Sequence, residues 1–543
     1  MYIRMKTSKK AKHPTMQIVE SFREGKKIKQ RTIAHLGVVK DQNDLKKLKH
    51  LADRLIERLE KEGLHIDPKV EIQKLKHRET IYDGFNTVVE RLMDITGFNK
   101  TIQSAQGRHQ FNLAEIVRLI LVQRFDFPSS KLRTYERQEE HGFNGVNLQH
   151  IYRTMDVIKD LNEAIQTQAF ENARKASGGV IDCFFFDVTT LYFESVEQDE
   201  IRDFGFSKDQ KYHTVQIVLA LVVDSQGIPL AYETFKGNLA ETKTLIPVLE
   251  NLRKRFSINN VTVVCDRGLA SKSNVEALQN NNFHYVIASK LKSMSKKICI
   301  NDLSKYAPLP GQEKVAEEDK VLFYTTPHPQ YADTTLVATY SPNRAWKDKD
   351  DRERLLEKLK KKISSSDEAS VKNVVSNSGY KKYIKVAEGS CVDLNEESIA
   401  KDAAWDGFHG IAVSNSSGLS AQQALSRYRD LWHVEEAFRV AKCTLKTRPI
   451  FHWSPHRIRA HVLLCFINLF LERFLELLLR QQNVHLTPDR IRYALTQVHT
   501  TVFVDPTGKE GRMQSCLTED ANSIFKVLGI STERKTLVGS CSA

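Results

Sequence analysis

The chain has 543 residues, too many for one hydrophobic core, so several domains or one core with large insertions are expected. With 41% hydrophobic and 27% charged residues it reads as globular, and its longest apolar run, Val462 to Leu471, is too short to span a bilayer and ends at Glu472 and Arg473. A formal net charge of +14 points to a polyanionic partner; with no apolar signal core at the N-terminus, nucleic acid in the cytoplasm is expected over a membrane.

The eight cysteines are scattered without a CxxC pair, which argues against a zinc knuckle or a dithiol motif and for a reducing compartment. Cys183 and Cys265 lie inside apolar runs and read as small core residues. There is no internal repeat and no Walker A motif.

Residues 1–60 carry 16 Lys or Arg against 7 acids. The stretch TMQIVESFREGKKIKQRTIAHLG predicts two strands with a turn at Glu24-Gly25-Lys26. A helix follows from Asp44 to Glu62, with Leu45, Leu48, Leu51, Leu55 and Leu59 at helical spacing. Such a basic arm suits phosphate contacts, and equally suits a small hairpin with solvated lysines. Residues 80–178 predict helices over Val88 to Ile95, Leu113 to Phe125 and Ile151 to Ala173. Arg118, Arg124, Lys131, Arg133 and Arg137 cluster around a loop with Pro128, as in a helical DNA-binding domain or a bundle packed on the core.

At Gly178-Gly179 the texture changes. VIDCFFFDVTTLYFES predicts a strand apolar on both faces, with Asp187 inside it. A carboxylate there is costly to bury without compensation, unless it bonds to neighbouring hydroxyls such as Thr189. HTVQIVLALVVD and IPLAYETFKG form a hairpin turning at Ser225-Gln226-Gly227, followed by a helix from Thr244 to Phe256. Val261 to Cys265 is a short apolar run typical of a buried central strand. Asp266 stands at its C-terminal end, where ligands collect in α/β sheets, and Gly268 permits a sharp turn into a helix from Ser271 to Gln279. FHYVIAS closes the series as another strand. Three strands, then helix, strand, helix, strand fits an α/β fold with a ribonuclease-H-like mixed sheet core.

Residues 291–417 read as a β-rich insertion forming a second subdomain, with strands such as VLFYTTP and TTLVATYS, a charged helix KDKDDRERLLEKLKKKI and a break at Ser364-Ser365-Ser366. Ser420 with Gln423 is a capping-box start, from which one helix of more than 20 residues is expected. Its apolar stripe would run through Leu425, Tyr428, Leu431, Trp432 and Phe438 with Glu435 in its middle; Tyr428, Glu435 and Lys442, spaced by sevens, would share that face. Ile458 to Arg480 reads as one long helix or a pair, and 485–543 as less regular. The expected division is a basic hairpin and helix at 1–79, a helical DNA-binding region at 80–178, a catalytic core at 179–290 and 418–484 split by the insertion at 291–417, and a C-terminal region at 485–543.

Asp187, Asp266 and Glu435 are three acids at positions where burial needs a partner. On two core strands and a helix packed on them, they suggest a carboxylate cage for hard divalent ions: Mg²⁺, with Mn²⁺ as the alternative. Two ions about 4 Å apart would activate a nucleophile and stabilise a leaving oxygen.

The motifs FFFDVTT, VVCDRG and KGNLAETKT, with Tyr428, Glu435 and Lys442 in the spacing Tyr, two residues, Arg, three residues, Glu, six residues, Lys, resemble the DDE transposases of bacterial insertion sequences in the branch with a YREK signature. The resemblance covers residues 180 to 480 and extends to the N-terminal hairpin; the signature Arg position holds Leu431, and Arg427, Arg429 or Arg439 are the nearby cations. It implies metal-dependent cleavage at the element's ends and transfer of the released 3′-OH into target DNA. It implies catalytic and metal-binding roles for Asp187, Asp266 and Glu435, and phosphate contacts from Tyr428 and Lys442 near the cut end. Arg439 and Arg267 are further DNA-contact candidates, Arg267 equally a turn cap, and Trp405 a stacking candidate or a core residue of the insertion. Glu436, about 100° round the helix from Glu435, is expected to point elsewhere. The implied partners are double-stranded DNA, as terminal inverted repeats and target, and a second copy in a synaptic homodimer at the nucleoid. Two other readings are a nuclease of the same core that does not transfer strands, and a non-catalytic DNA-binding regulator, whose expected mark, loss of an acid, is missing.

Overall fold

The computed structural model describes residues 2–7, 13–24, 27–61, 76–207, 211–256, 258, 260–294, 299–364, 382–386, 392–504 and 510–531. Gly25 and Lys26 of the expected turn, Glu62 at the expected helix end, and Ser365-Ser366 lie outside the described residues. The chain forms two compact units, Met1–Ile95 with Arg108–Ile151 and Leu475–Ala543, and Thr96–Gly107 with Tyr152–Phe474. Residues 80–178, expected as one region, contribute to both, and residues 485–543 belong to the first.

In the first unit, β1 (Tyr2–Lys6), β2 (Thr15–Glu24) and β3 (Lys27–Val38) make an antiparallel sheet in that order. The sequence predicts two strands; Tyr2–Lys6 adds a third because Ile3 pairs with Ile18 and brings an apolar side chain to the same small core. The helix Gln42–Lys61 starts where Asp41 accepts the Asp44 N–H at 2.8 Å. It packs Leu48, Ala52 and Ile56 on Met16, Ile18 and Val39. Leu45 and Leu51, expected on that face, are exposed, and the side chains of Leu55 and Leu59 lie outside the described residues.

The cations clustered in sequence around Pro128 are ion-paired or buried, with Arg133 exposed. Arg118 pairs with Glu90, Arg133 with Glu136 at 3.0 Å, and Arg137 with Asp126 and Glu140 at 3.6 and 2.7 Å. Arg124 and Lys131 are buried. The helix beside them, Leu113–Asp126, is capped by Asn112 and buried on nearly every side. β4 (Lys76–Ile81) completes this part of the unit.

The second unit is built on a nine-stranded sheet. The expected helix from Ile151 to Ala173 is two, Leu148–Ile158 and Asn162–Ala176, parted by a tight turn at Lys159–Leu161. The sheet starts with β5 (Cys183–Tyr192), β6 (Gln216–Val223) and β7 (Pro229–Lys236), paired antiparallel. Asp224 sets the turn of the second hairpin by accepting the N–H groups of Gln226 and Ile228, and Gly227 takes the left-handed conformation that the turn requires. The helix Leu245–Phe256 leads to β8 (Thr262–Cys265), and the helix Lys272–Asn280 to β9 (His284–Ala288). β8 joins β5 in parallel and β9 joins β8 in parallel. Cys183 and Cys265 are buried in these strands, and burial pushes the Cys183 thiol up to about 12.

The insertion is not a separate subdomain. β10 (Ala307–Pro308), β11 (Leu322–Pro327), β12 (Thr334–Tyr340) and, beyond the small ribbon β13 (Ile384–Val386) and β14 (Val392–Leu394), β15 (Phe408–Ser414) extend the same sheet. The order is β10-β11-β12-β15-β9-β8-β5-β6-β7. β15 pairs with β9, Ile411 opposite Ala288, covering the edge that β9 would otherwise expose. The helix Pro342–Ser364 packs with β13 and the helix Glu396–Ala403 around Leu359, Tyr383 and Ile384.

One 27-residue helix, Pro455–Gln481, follows. Residues 485–543, expected to be irregular, supply the helices Pro488–Thr496 and Glu519–Val527, capped by Thr487 and Thr518. They also supply β16 (Thr500–Val504) and β17 (Glu510–Gln514), which pair with β4 in the order β17-β16-β4. Among the described residues no helix is long and apolar enough to cross a membrane.

Candidate active site

The register of two parallel strands brings the first two acids together. The β5–β8 ladder runs from Cys183 opposite Thr262 to Phe186 opposite Cys265. The next residues in the chain are Asp187, still within β5, and Asp266, just past the end of β8. Both carboxylates act on the thiol of Cys265, which burial pushes well above its usual range. Asp187 is half-buried and Asp266 exposed. The buried hydroxyl of Thr189 makes no hydrogen bond among the described residues, so it is not the partner of Asp187.

The third acid is placed otherwise than expected. The capping box is present: Ser420 Oγ accepts the Gln423 N–H at 3.2 Å, and Gln423 Oε1 accepts the Ser420 N–H at 2.9 Å. The helix nevertheless ends at Arg429. Leu431, His433 and Val434 donate backbone N–H groups three residues back, an overwound junction, before a second helix runs Trp432–Arg439. A π turn, Val440–Thr444, follows. Overwinding and then underwinding shift the phase that a constant 100° per residue assumes. Spacing by sevens therefore does not keep Tyr428, Glu435 and Lys442 on one face. The buried side of the second helix is Val434, Ala437 and Phe438. Of the expected stripe, Leu425, Leu431 and Phe438 are buried and Tyr428 is half-buried, while Trp432 is half-exposed and Glu435 is exposed and so not in its middle. Glu436 is the half-buried acid, 3.4 Å from Arg473 and 3.3 Å from Arg439.

What holds for Glu435 is its place. It sits in the first turn of a helix packed on β5, the strand that carries Asp187. The donor set, three carboxylates, suits a hard divalent ion in its chemistry. Its spacing does not close: among the described residues no three His, Cys, Asp or Glu stand together as a group that could hold an ion.

Tyr428 does reach the pair. Its phenol donates to Asp266 Oδ1 at 3.4 Å, and burial, then the Asp266 charge, holds it protonated far above its usual range. Its ring lies 5.1 Å from that of His409 on β15. Asp266 and Tyr428 open onto a cavity of about 490 Å³, whose wall also includes Arg267, Lys290, Arg344 and Trp405. Trp405 packs on Phe408 at 5.9 Å and on the apolar cluster of Leu291, Met294 and Leu336. It is thus both a core residue of the insertion and a flat wall of the cavity. Arg267 is exposed at the rim. Lys442 lies in the π turn, 6.0 Å from the Phe438 ring, and is not among the residues lining the cavity; nor is Arg439.

His409 and Arg344 are cavity residues that the sequence did not single out. Burial, then the Arg344 charge, pushes His409 down to about 4 against the opposing pull of Asp266. Both residues come from the insertion, and no local pattern shows that its last strand pairs with β9.

The transposase DDE domain family matches residues 178–471, and the N-terminal domain of IS1634 family transposases matches residues 3–69. Among solved structures, a piggyBac transposase synaptic complex with hairpin DNA aligns at 11% identity and a TM-score of 0.35, over 77% of this chain and 78% of that one. A Mos1 transposase paired-end complex with the left transposon end aligns at 12% identity and a TM-score of 0.15, over 44% and 66%. Likenesses this distant carry no weight for fold or function. No curated protein matches the chain.

Proposed function

The chain belongs to the DDE transposases of insertion sequences and is a DNA transposase, and we propose that Asp187, Asp266 and Glu435 are its catalytic carboxylates. The observation that carries this is the adjacency of Asp187 and Asp266 across β5 and β8, with Glu435 on the helix packed against β5. The core is ribonuclease-H-like: three antiparallel strands followed by two parallel strands added through helices support that reading. Residues 1–79 would be a basic arm that contacts DNA phosphates, and 80–178 a helical DNA-binding region; the match of residues 3–69 to a transposase N-terminal domain supports the first.

Two divalent ions, Mg²⁺ or Mn²⁺, would be held by the three carboxylates and would supply an activated water and a charge sink for the leaving oxygen. Water cleaves a phosphodiester at the element's end and leaves a 3′-OH. That hydroxyl attacks a target phosphorus and displaces the target's own 3′ oxygen, forming one phosphodiester as another breaks. Tyr428 orients Asp266 and contacts the backbone of the cut strand. Arg267 and Lys290 offset the repulsion between DNA phosphates and the acids. Trp405 offers a face on which a displaced base stacks, and Lys442 and Arg439 contact phosphates farther along the strand. Two copies hold two ends and a target, on chromosomal DNA in the cytoplasm.

The test is a joining assay. Duplexes ending in the flanking terminal repeats are incubated with protein, Mg²⁺ and a target plasmid. End-to-plasmid joints support the proposal. Cut ends that never join favour a nuclease, and bound but uncut ends a regulator.

A further inference from the structure

The signature position that would hold an arginine is Leu431, and it is buried. Of the neighbouring cations, Arg427 is committed to Asp182 and Arg439 to Glu436, while Arg429 is exposed and does not line the cavity. The cavity nevertheless carries four cationic side chains against one carboxylate, Asp266. Lys292 is paired with Asp402, and Arg267 and Lys290 stand exposed. The fourth, Arg344, comes from the insertion; it too is exposed, and what sets it apart is that its helix start is fixed against the turn carrying Trp405.

Its placement is built. Arg344 lies in the first turns of the helix Pro342–Ser364, 3.8 Å from Asp348 one turn on. Asp348 also accepts the Gly407 N–H at 3.1 Å, and the Ser341 N–H donates to the Gly407 carbonyl at 3.0 Å. Arg352 grips Asp406 through both guanidinium nitrogens. Gly407 is left-handed, and a Cβ there would lie 2.7 Å from Ala345 Cβ and 2.8 Å from the Ser341 carbonyl. The start of the helix is therefore pinned to the turn that carries Trp405, so the flat ring and the guanidinium are presented to the cavity as one unit.

We propose that Arg344 is the cation that grips the DNA backbone phosphate beside the nucleotide stacked on Trp405, replacing the arginine absent at Leu431. A guanidinium suits such a contact because its planar fork binds two phosphate oxygens at once and because it stays charged at any working pH. This rests on the catalytic reading of the site.

The test compares wild type, Arg344→Ala, Arg344→Lys and Arg429→Ala. Two readouts are used: the Mg²⁺-dependent cleavage rate on a terminal-repeat duplex, and the salt dependence of affinity for that duplex without metal. Arg344→Ala is expected to slow cleavage about a hundredfold and to lower the salt slope by about 0.7 to 0.9, the loss of one phosphate contact. Arg344→Lys should recover the slope but only part of the rate, and Arg429→Ala should match wild type. A wild-type rate and slope in Arg344→Ala overturn the inference, as does a loss confined to Arg429→Ala. Should Arg344→Ala fail to fold, Arg344→Lys decides: full rate means that geometry at this position is not used. Absence of cleavage by wild type would overturn the catalytic reading instead, and the slope would still judge Arg344.

Discussion

Asp187 and Asp266 are adjacent because Phe186 and Cys265 are the last register pair of a parallel ladder, and each acid is the next residue in the chain. Two like charges so placed repel when no cation lies between them. Asp187→Asn and Asp266→Asn should each abolish cleavage, keep terminal-repeat binding, and leave the melting temperature equal to or above that of wild type. Activity assays beside thermal melts check this; a melting temperature lowered in both variants would contradict it.

Glu435 and Glu436 should separate cleanly. Glu436 pairs with Arg473, whose side chain is only 6% exposed, while Glu436 keeps 23% exposure. Glu436→Gln should cost about 2 kcal/mol, less than the roughly 3–5 kcal/mol for breaking a fully buried pair. Glu435→Gln should leave stability unchanged, since Glu435 is exposed. Denaturant unfolding measures both.

Acid should weaken the fold through two histidines. His328 is buried and is pushed down to about 4; its Nδ1 accepts the N–H groups of Gln330 and Tyr331, which only an unprotonated nitrogen does. His409 is also held near 4. Both lie below the ordinary value of about 6.5, so the unfolded chain binds more protons between those limits. Their contribution is complete above pH 6.5 and is lost as pH falls toward 4. Wild type should lose about 1–2 kcal/mol more than His328→Gln between pH 7 and pH 5. Equal losses would contradict this.

Gly407→Ala should loosen the insertion against the cavity. The added Cβ meets two backbone-fixed neighbours at under 3 Å in a left-handed conformation. A cost of about 1–3 kcal/mol is expected, with slower cleavage and weaker terminal-repeat binding, read by melts and mobility shifts.

The aspartates were legible because each interrupts or ends an apolar strand, and strands of four to ten residues leave little room for a register error. The capping box was legible because it is a local motif. Glu435 was misplaced in burial because periodicity assumes one winding, and the junction at Leu431 and the π turn after Arg439 both depart from it. The insertion was misread as a separate subdomain because its membership in the sheet depends on β15 pairing with β9, more than 120 residues away, which no local pattern encodes. Arg344 and His409 were missed for the same reason.

The most direct test of the three-carboxylate claim is Mn²⁺ binding, by electron paramagnetic resonance, to the protein–terminal-repeat complex, with cleavage measured on the same samples. Wild type and Glu436→Gln should bind Mn²⁺ and cut. Asp187→Asn, Asp266→Asn and Glu435→Gln should hold DNA but lose both the bound-ion signal and cleavage. Wild-type binding and cutting by Glu435→Gln, with both lost in Glu436→Gln, would contradict the assignment and move the third carboxylate to Glu436.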